Sequence, residues 1–115
     1  MRKFFIAGVQ FHEMKNVKNK IQKDDELILT AEPSNKYDPN AVRIEFDEGE
    51  GPVMLGYVPK KFSSEISAMI EVGKELECIV VTMNPAAKQW EMCEVVIKEL
   101  DEEFPEVEDL PDEEA

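Results

Sequence analysis

The chain has 115 residues, which is a common length for one domain, and 43% of them are apolar, enough for a hydrophobic core without metal or disulfide support. The longest apolar runs fall far short of the roughly 20 residues that a membrane span needs. The net charge of −13 is unevenly distributed, because residues 99–115 hold ten acidic and no basic residues. We therefore predict a nearly neutral domain over residues 1–98 and an acidic C-terminal tail over residues 99–115.

The N-terminal sequence and the cysteines indicate a cytoplasmic protein. Arg2 and Lys3 precede an apolar run, but no small-residue cleavage site follows it, so we expect no secretory signal. The two cysteines, Cys78 and Cys93, are 15 residues apart, and the single histidine, His12, lies far upstream. Zinc sites need four ligands in closely spaced pairs, so we expect no metal site and two reduced, buried thiols.

The first half of the chain predicts four short strands separated by turn-forming residues. They cover residues 3–11 (with a bend at Gly8), 26–32, 41–46 and 53–58. In the third of these strands, Val42, Ile44 and Phe46 alternate with polar residues, which is typical of a half-buried strand.

Two helices are predicted between and after these strands. A short one over residues 14–22 is indicated by Val17 and Ile21, which are four positions apart. A longer one runs from about Pro59 to Val72, where apolar residues recur at i, i+4, i+7 and i+8 and form a single stripe. This stripe consists of Phe62, Ile66, Met69 and Ile70.

The rest of the chain completes a mainly β pattern. Residues 76–83 and 90–97 predict two strands joined by the hairpin loop 84–88. Six short strands and one clear helix favour a small antiparallel barrel or a half-open sheet. The tail, residues 99–115, contains too few apolar residues to fold alone, so we predict that it is solvated. The alternative is that the tail docks on a basic partner or on its own domain.

The sequence contains no motif for catalysis. The five glycines are scattered, and none begins a helix as in a phosphate-binding loop. Acidic residues cluster only in the loop 47–52 and in the tail, where water keeps their chemistry ordinary. We therefore expect neither enzymatic activity nor a bound cofactor.

Two loops, residues 35–41 and 55–61, carry the residue types most typical of a binding site. The first joins an amide, an aromatic ring and a carboxylate on one turn, and the second places an aromatic ring and two lysines at a helix N-terminus. Such a helix start binds phosphate readily, and an exposed tyrosine can stack on a base. The structural alternative is that the Asn and Asp side chains only stabilise the turn.

Four segments resemble, in this order, the HIRAN domain. They are Phe4–Phe11, Leu27–Pro33, Asn35–Val42 and Leu55–Pro59. The resemblance covers residues 3–98 and implies an OB-like or SH3-like six-stranded antiparallel barrel with two short helices. It also implies a module that binds single-stranded DNA in DNA repair or replication, and that in helicase-linked members captures a free 3′ end.

The resemblance implies roles for individual residues of the two loops. Tyr37 and Asp38 match a Tyr-Asp pair that stacks on the terminal base and contacts the 3′-hydroxyl, and Asn35 matches the preceding Asn. Lys60 matches a lysine that contacts phosphate.

The end of the first strand departs from the helicase-linked pattern. It reads Gln10-Phe11-His12 where an arginine and two tyrosines are found, so a stacking ring remains but the guanidinium is replaced by an amide. Tyr57 stands where a histidine is found. The implied nucleic-acid-binding residues are Gln10, Phe11, His12, Asn35, Tyr37, Asp38, Tyr57, Lys60 and Lys61.

We therefore predict a non-catalytic module that binds single-stranded DNA, with a helicase or nuclease on another chain as candidate partner and no membrane partner. The alternative is a protein-interaction module whose acidic tail mimics a DNA backbone or docks on a partner. A clustered basic face would favour DNA, and a wholly acidic surface with an apolar groove would favour protein.

Overall fold

The computed structural model describes residues 1–100 of the chain. The strands are β1 (Arg2–Phe5), β2 (Glu26–Ala31), β3 (Val42–Phe46), β4 (Val53–Tyr57), β5 (Leu76–Met83) and β6 (Cys93–Glu99). The helices are α1 (Met14–Val17), α2 (Lys60–Glu71) and two 3-10 helices, Val9–Phe11 and Gln89–Glu91.

The six strands form one antiparallel sheet in the order β1-β6-β5-β2-β3-β4. Strand β2 changes partner along its length, since Glu26 and Leu27 pair with β5 whereas residues 28–31 pair with β3. The two ends of the sheet meet at Ala7 and Tyr57, whose backbone N–H and C=O groups exchange hydrogen bonds of 2.9 and 2.8 Å. The prediction of a mainly β, six-stranded antiparallel fold is confirmed, and its form is a half-barrel.

The closure at Ala7 depends on a glycine in β4. A Cβ atom at Gly56 would collide with the backbone oxygen of Ala7 and lie 2.8 Å from Cγ2 of Ile6. Only a residue without a side chain therefore lets β4 approach the chain that follows β1.

Residues 7–13 run along the outer edge of β4. Gly8 adopts the left-handed conformation (φ +70°), and the chain then turns through the first 3-10 helix. The N–H of Glu13 donates to the backbone oxygen of Met54 over 3.0 Å. The predicted strand over residues 3–11 is therefore wrong beyond Phe5, because the turn at Gly8 redirects the chain.

Two other predicted boundaries also differ. Helix α1 has four residues rather than the nine of 14–22, although Val17 and Ile21 are both buried as their spacing predicted. The last strand begins at Cys93 and not at Trp90, because Trp90 lies in the second 3-10 helix with 60% of its surface exposed. The connection from β5 to β6 is consequently residues 84–92 and not 84–88.

The core fills the inside of the half-barrel. Helix α2 covers it with its predicted stripe, of which Ile66 is buried and the other three residues pack against the core from its margin. The thiols of Cys78 and Cys93 are free and buried, which confirms their prediction as small core residues. Burial raises the pKa of the Cys93 thiol to about 12, so it stays protonated at neutral pH.

The predicted tail begins inside the sheet. Glu99 is the last residue of β6 and pairs with Leu76, and the N–H of Leu100 donates to the backbone oxygen of Glu75 over 2.9 Å. The remainder of the predicted tail, residues 101–115, lies outside the described residues.

No helix within residues 1–100 combines the length and apolarity required to cross a bilayer. In the same range, no three His, Cys, Asp or Glu side chains converge on a point where a metal ion would sit.

Candidate nucleic-acid interface

A groove of about 720 Å³ lies where the chain after β1, the loop 35–41 and the start of α2 meet. It is lined by Ala7, Gly8, Phe11, His12, Asn35, Tyr37, Asp38, Ala41, Tyr57, Val58 and Lys60. Seven of the nine residues that the sequence singled out lie on this groove, although they come from three separate parts of the chain.

The loop 35–41 is an Asx turn built by two of its own side chains. Oδ1 of Asn35 accepts hydrogen bonds from the N–H groups of Tyr37 (2.8 Å) and Asp38 (3.0 Å). Oδ1 of Asp38 accepts one from the N–H of Asn40 over 2.9 Å. These local bonds fix the backbone in the manner expected of Asn and Asp in turns, and they project the Tyr37 ring outwards.

The carboxylate of Asp38 is also held by helix α2. The hydroxyl of Ser63, which is 3% exposed, lies 3.0 Å from Oδ2 of Asp38 and 3.1 Å from the backbone oxygen of Lys60. A carboxylate near a helix N-terminus is favoured by the partial positive charge there. Each carboxylate oxygen has two lone pairs, so Asp38 retains acceptor capacity towards the groove.

Two aromatic rings project from the walls of the groove. Phe11 is 77% exposed and Tyr37 is 81% exposed, and the Nζ atom of Lys36 lies 5.4 Å from the Tyr37 ring centroid. His12 meets the ring of Tyr57 edge-on, with the centroids 5.5 Å apart. Single exposed apolar residues are ordinary on a protein surface, but two rings on one groove are typical of a binding site.

Below the groove, the carboxylate of Glu32 collects three hydrogen bonds. Oε1 accepts from the hydroxyl of Tyr57 (2.8 Å) and from Nδ2 of Asn35 (3.0 Å), and Oε2 accepts from the guanidinium of Arg43 (3.1 Å). The Asx turn and β4 are thereby joined through one side chain.

The ionisation of these groups follows from their surroundings. Burial tends to raise the pKa of Glu32, but the hydrogen bonds from Asn35, Tyr57 and Arg43 outweigh it, so the pKa lies below the ordinary value of 4.5. Burial and the adjacent Glu32 carboxylate raise the pKa of Tyr57. At neutral pH, Glu32 is therefore an anion and the Tyr57 hydroxyl is a neutral donor.

A second carboxylate faces the same arginine. Nε of Arg43 is buried and lies 3.4 Å from Oε2 of Glu45, at an angle that makes an ion pair but no hydrogen bond. Glu32, Arg43 and Ser63 were not predicted as members of the site. For Arg43, the available signal was its polar position in the alternating strand β3. In the structure, Arg43 is the register partner of Tyr57.

Two of the nine predicted residues lie away from the groove. Gln10 lines a neighbouring cleft of about 60 Å³, whose other walls include His12. The Nζ atom of Lys61 lies over the Phe62 ring, 5.1 Å from its centroid. The structure therefore separates these two side chains from the cluster around Tyr37 and Asp38.

Comparison with solved structures shows the same fold in two proteins. A crystal structure of a protein from Lactobacillus plantarum superposes with a TM-score of 0.73 at 17% identity, covering 86% of this chain and 91% of that one. The crystal structure of the HIRAN domain of human HLTF superposes with a TM-score of 0.66 at 12% identity, covering 85% of this chain and 73% of that one.

Sequence comparison gives a family but no characterised relative. No curated protein matches the chain significantly. The profile of the HIRAN domain matches residues 1–99, which is nearly the whole described structure. This chain therefore belongs to the HIRAN domain family, whose members are known generally as nucleic-acid-binding modules.

Proposed function

We propose that the groove binds the 3′ end of a single DNA strand without catalysing a reaction on it. The observation that carries the proposal is the grouping of Phe11, Tyr37 and Asp38 on one groove, two exposed rings beside a carboxylate. A base stacked on an aromatic ring contributes about 1–3 kcal/mol, whatever the base. Stacking alone therefore gives affinity for any strand, and selection of an end requires the polar group.

Asp38 is the group that would select the end. Its carboxylate accepts hydrogen bonds only, so it favours the hydroxyl of a free 3′ end and repels a terminal phosphate. Asn40 and Ser63 already hold the carboxylate in place, so little side-chain freedom would be lost on binding.

Lys60 and the first amides of α2 would bind the adjoining phosphate. Lys60 lines the groove and is the first residue of a twelve-residue helix, whose N-terminus favours an anion. Lys36 stands beside Tyr37 and provides a second lysine at the groove, in a chain that is acidic overall. Two lysines beside exposed rings support a nucleic acid over a protein as the ligand.

In this proposal the domain is an adaptor for other enzymes. It would hold a strand end for a helicase or nuclease supplied by another chain during DNA repair or replication. The groove supports binding in preference to catalysis, since Asp38 is bonded to the turn and to Ser63 and does not face a second carboxylate at hydrogen-bonding distance within residues 1–100.

A titration with matched strands tests the proposal. The full chain is titrated against one short deoxyoligonucleotide carrying a 3′-hydroxyl, the same strand carrying a 3′-phosphate, and a circular strand of equal length. We expect the 3′-hydroxyl strand to bind best, by about ten- to a hundredfold over the 3′-phosphate. Adding a 5′-phosphate to the first strand is the charge-matched control and should change little. Equal binding of all the strands would overturn end recognition, and no binding of any strand would overturn the function itself.

A further inference from the structure

The cleft that Gln10 lines adjoins the groove and differs from it in chemistry. We call it the lysine cleft; its walls are Val9, Gln10, His12, Met14, Lys15, Lys18, Gln89 and Met92. His12 lines both the groove and the lysine cleft, so a strand that leaves the groove past this side chain meets the cleft next.

The polar lining of the lysine cleft consists of two lysines, two glutamines and the imidazole of His12. Lys15 and Lys18 line it, whereas the neighbouring acids Glu13 and Glu91 do not. Within residues 1–100, neither of these two ammonium groups lies within 4 Å of a carboxylate, in contrast to Lys20, whose Nζ atom is 2.7 Å from Oε2 of Glu48. Within the described part of the chain, these two lysines therefore form no direct ion pair and can donate to an anion.

The size of the lysine cleft restricts what can occupy it. Its volume of about 60 Å³ is about a twelfth of that of the groove, about 720 Å³. We therefore expect the cleft to take the oxygens of a phosphate group, and the groove to take a base. The groove, at about 720 Å³, has room for a base and sugar.

We propose that the lysine cleft is a second subsite, which binds the backbone phosphates of the strand upstream of its bound end through Lys15 and Lys18. This subsite rests on the proposed function, because only a strand already held in the groove would reach it past His12. Phosphate contacts of this kind are independent of base sequence and add to affinity and to salt dependence. They matter only for strands long enough to pass His12.

Strand length and a double substitution test the subsite together. The full chain and the variant Lys15→Gln/Lys18→Gln are titrated with a dinucleotide, followed by NMR, and with an octanucleotide, followed by fluorescence anisotropy at several salt concentrations. Both ligands carry a free 3′-hydroxyl. The control variant is Lys3→Gln/Lys23→Gln, which removes the same charge from lysines that line neither the groove nor the cleft.

The expected result is specific to the long strand. With the octanucleotide, the slope of log K against log salt should be reduced in magnitude by about 1.4, since each phosphate contact on a single strand contributes about 0.7. The dinucleotide should bind the Lys15/Lys18 variant as it binds the unmodified protein, and the control variant should keep the full slope.

Three results would overturn the subsite. An unchanged slope in the Lys15/Lys18 variant means that the cleft holds no phosphate. If the slope falls equally in the control variant, the effect is one of overall charge. If the Lys15/Lys18 variant loses affinity equally for the dinucleotide, these lysines bind in the groove. In each case the unmodified protein still binds the 3′ end, so the proposed function survives. If the unmodified protein binds neither ligand, both proposals fail.

Discussion

The hydroxyl of Ser63 donates a hydrogen bond of 3.0 Å to Oδ2 of Asp38, although the two residues are 25 positions apart in the chain. This bond ties the Asx turn to the first turn of α2. The other carboxylate oxygen accepts the N–H of Asn40, so it serves the turn itself. Asp38 therefore has a structural role whatever it binds, and variants must separate that role from the proposed selection of a strand end.

Asp38→Asn retains an oxygen for the N–H of Asn40 but loses the negative charge. We expect the folded variant to lose its preference for a 3′-hydroxyl over a 3′-phosphate, a loss of about 1.5–3 kcal/mol for one charged hydrogen bond. Binding to circular strands should stay nearly constant. Titrations with the two 3′ ends, accompanied by thermal melts, measure both effects. If the folded variant still selects the 3′-hydroxyl, Asp38 does not have the role proposed for it.

Ser63→Ala is the matched control for the structural role. It removes the bond between helix and turn while the Asp38 charge remains, so stability should fall by about 0.5–1.5 kcal/mol. The preference for a 3′-hydroxyl should persist in this variant.

Tyr37→Ala should weaken the binding of all single strands alike, by about 1–3 kcal/mol for a lost stack. Because the ring is 81% exposed, the melting temperature should stay close to that of the unmodified protein. Tyr37→Phe keeps the stacking surface and should bind almost normally. A loss confined to one type of strand end would argue against stacking as the role of Tyr37.

Glu32→Gln should lower the free energy of unfolding at pH 7 by about 1–3 kcal/mol, because it weakens a half-buried set of charged hydrogen bonds. The folded-state pKa of Glu32 lies below 4.5, so the carboxylate stabilises the fold above that pH. This contribution is lost as the pH falls through the lowered pKa. Denaturant unfolding from pH 7 downwards should therefore show the two proteins converging below about pH 4.5.

The control for Glu32 is Glu65→Gln, which breaks the exposed ion pair with Arg2. Exposed pairs contribute little, so this variant should resemble the unmodified protein at each pH. If the free energies of unfolding of Glu32→Gln and the unmodified protein differ by the same amount at every pH, the stabilising role of the Glu32 carboxylate is contradicted.

Gly56→Ala should destabilise the half-barrel by about 1–3 kcal/mol, because the new methyl group collides with the backbone at Ala7. Binding should weaken as well, since Ala7 and the adjoining Tyr57 both line the groove. Thermal melts and strand titrations on the same samples test the coupling. An unchanged melting temperature would show that β4 can pair with Ala7 without a glycine at position 56.

Deletion of residues 101–115 should strengthen strand binding, since it removes nine acidic residues and no basic residue. The gain should be largest at low salt, because screening weakens long-range repulsion at high salt. A tail of equal length with its acids changed to Gln and Asn is the control and should behave like the deletion. Equal affinity with and without the acids at low ionic strength would contradict this prediction.

Elements with clear ends in the sequence were predictable. Strand β5 spans residues 76–83 as predicted, because turn-forming residues stand on both sides of it. Helix α2 was equally clear from its apolar spacing between Pro59 and Gly73. By contrast, Phe11 and Trp90 are aromatic residues in 3-10 helices, where local β propensity favours a strand but the backbone turns.

The site was predictable where it is local. Asn35, Tyr37 and Asp38 lie within one turn whose chemistry is visible in the sequence. The partners of that turn were not predictable, because Ser63 reaches Asp38, and Tyr57 reaches Glu32, across 25 positions of chain. Such pairs depend on strand register and helix placement, which residue patterns do not specify.

The segment 7–13 along β4 has a consequence for protein partners. Its backbone forms hydrogen bonds with the backbone groups of Met54 and Tyr57 on the outer edge of that strand. The open edge of a sheet is where an extended peptide adds as a further strand. A peptide adding there would displace residues 7–13 and with them the wall of the groove that carries Phe11. Strand addition by a protein would therefore compete with the proposed capture of a DNA end.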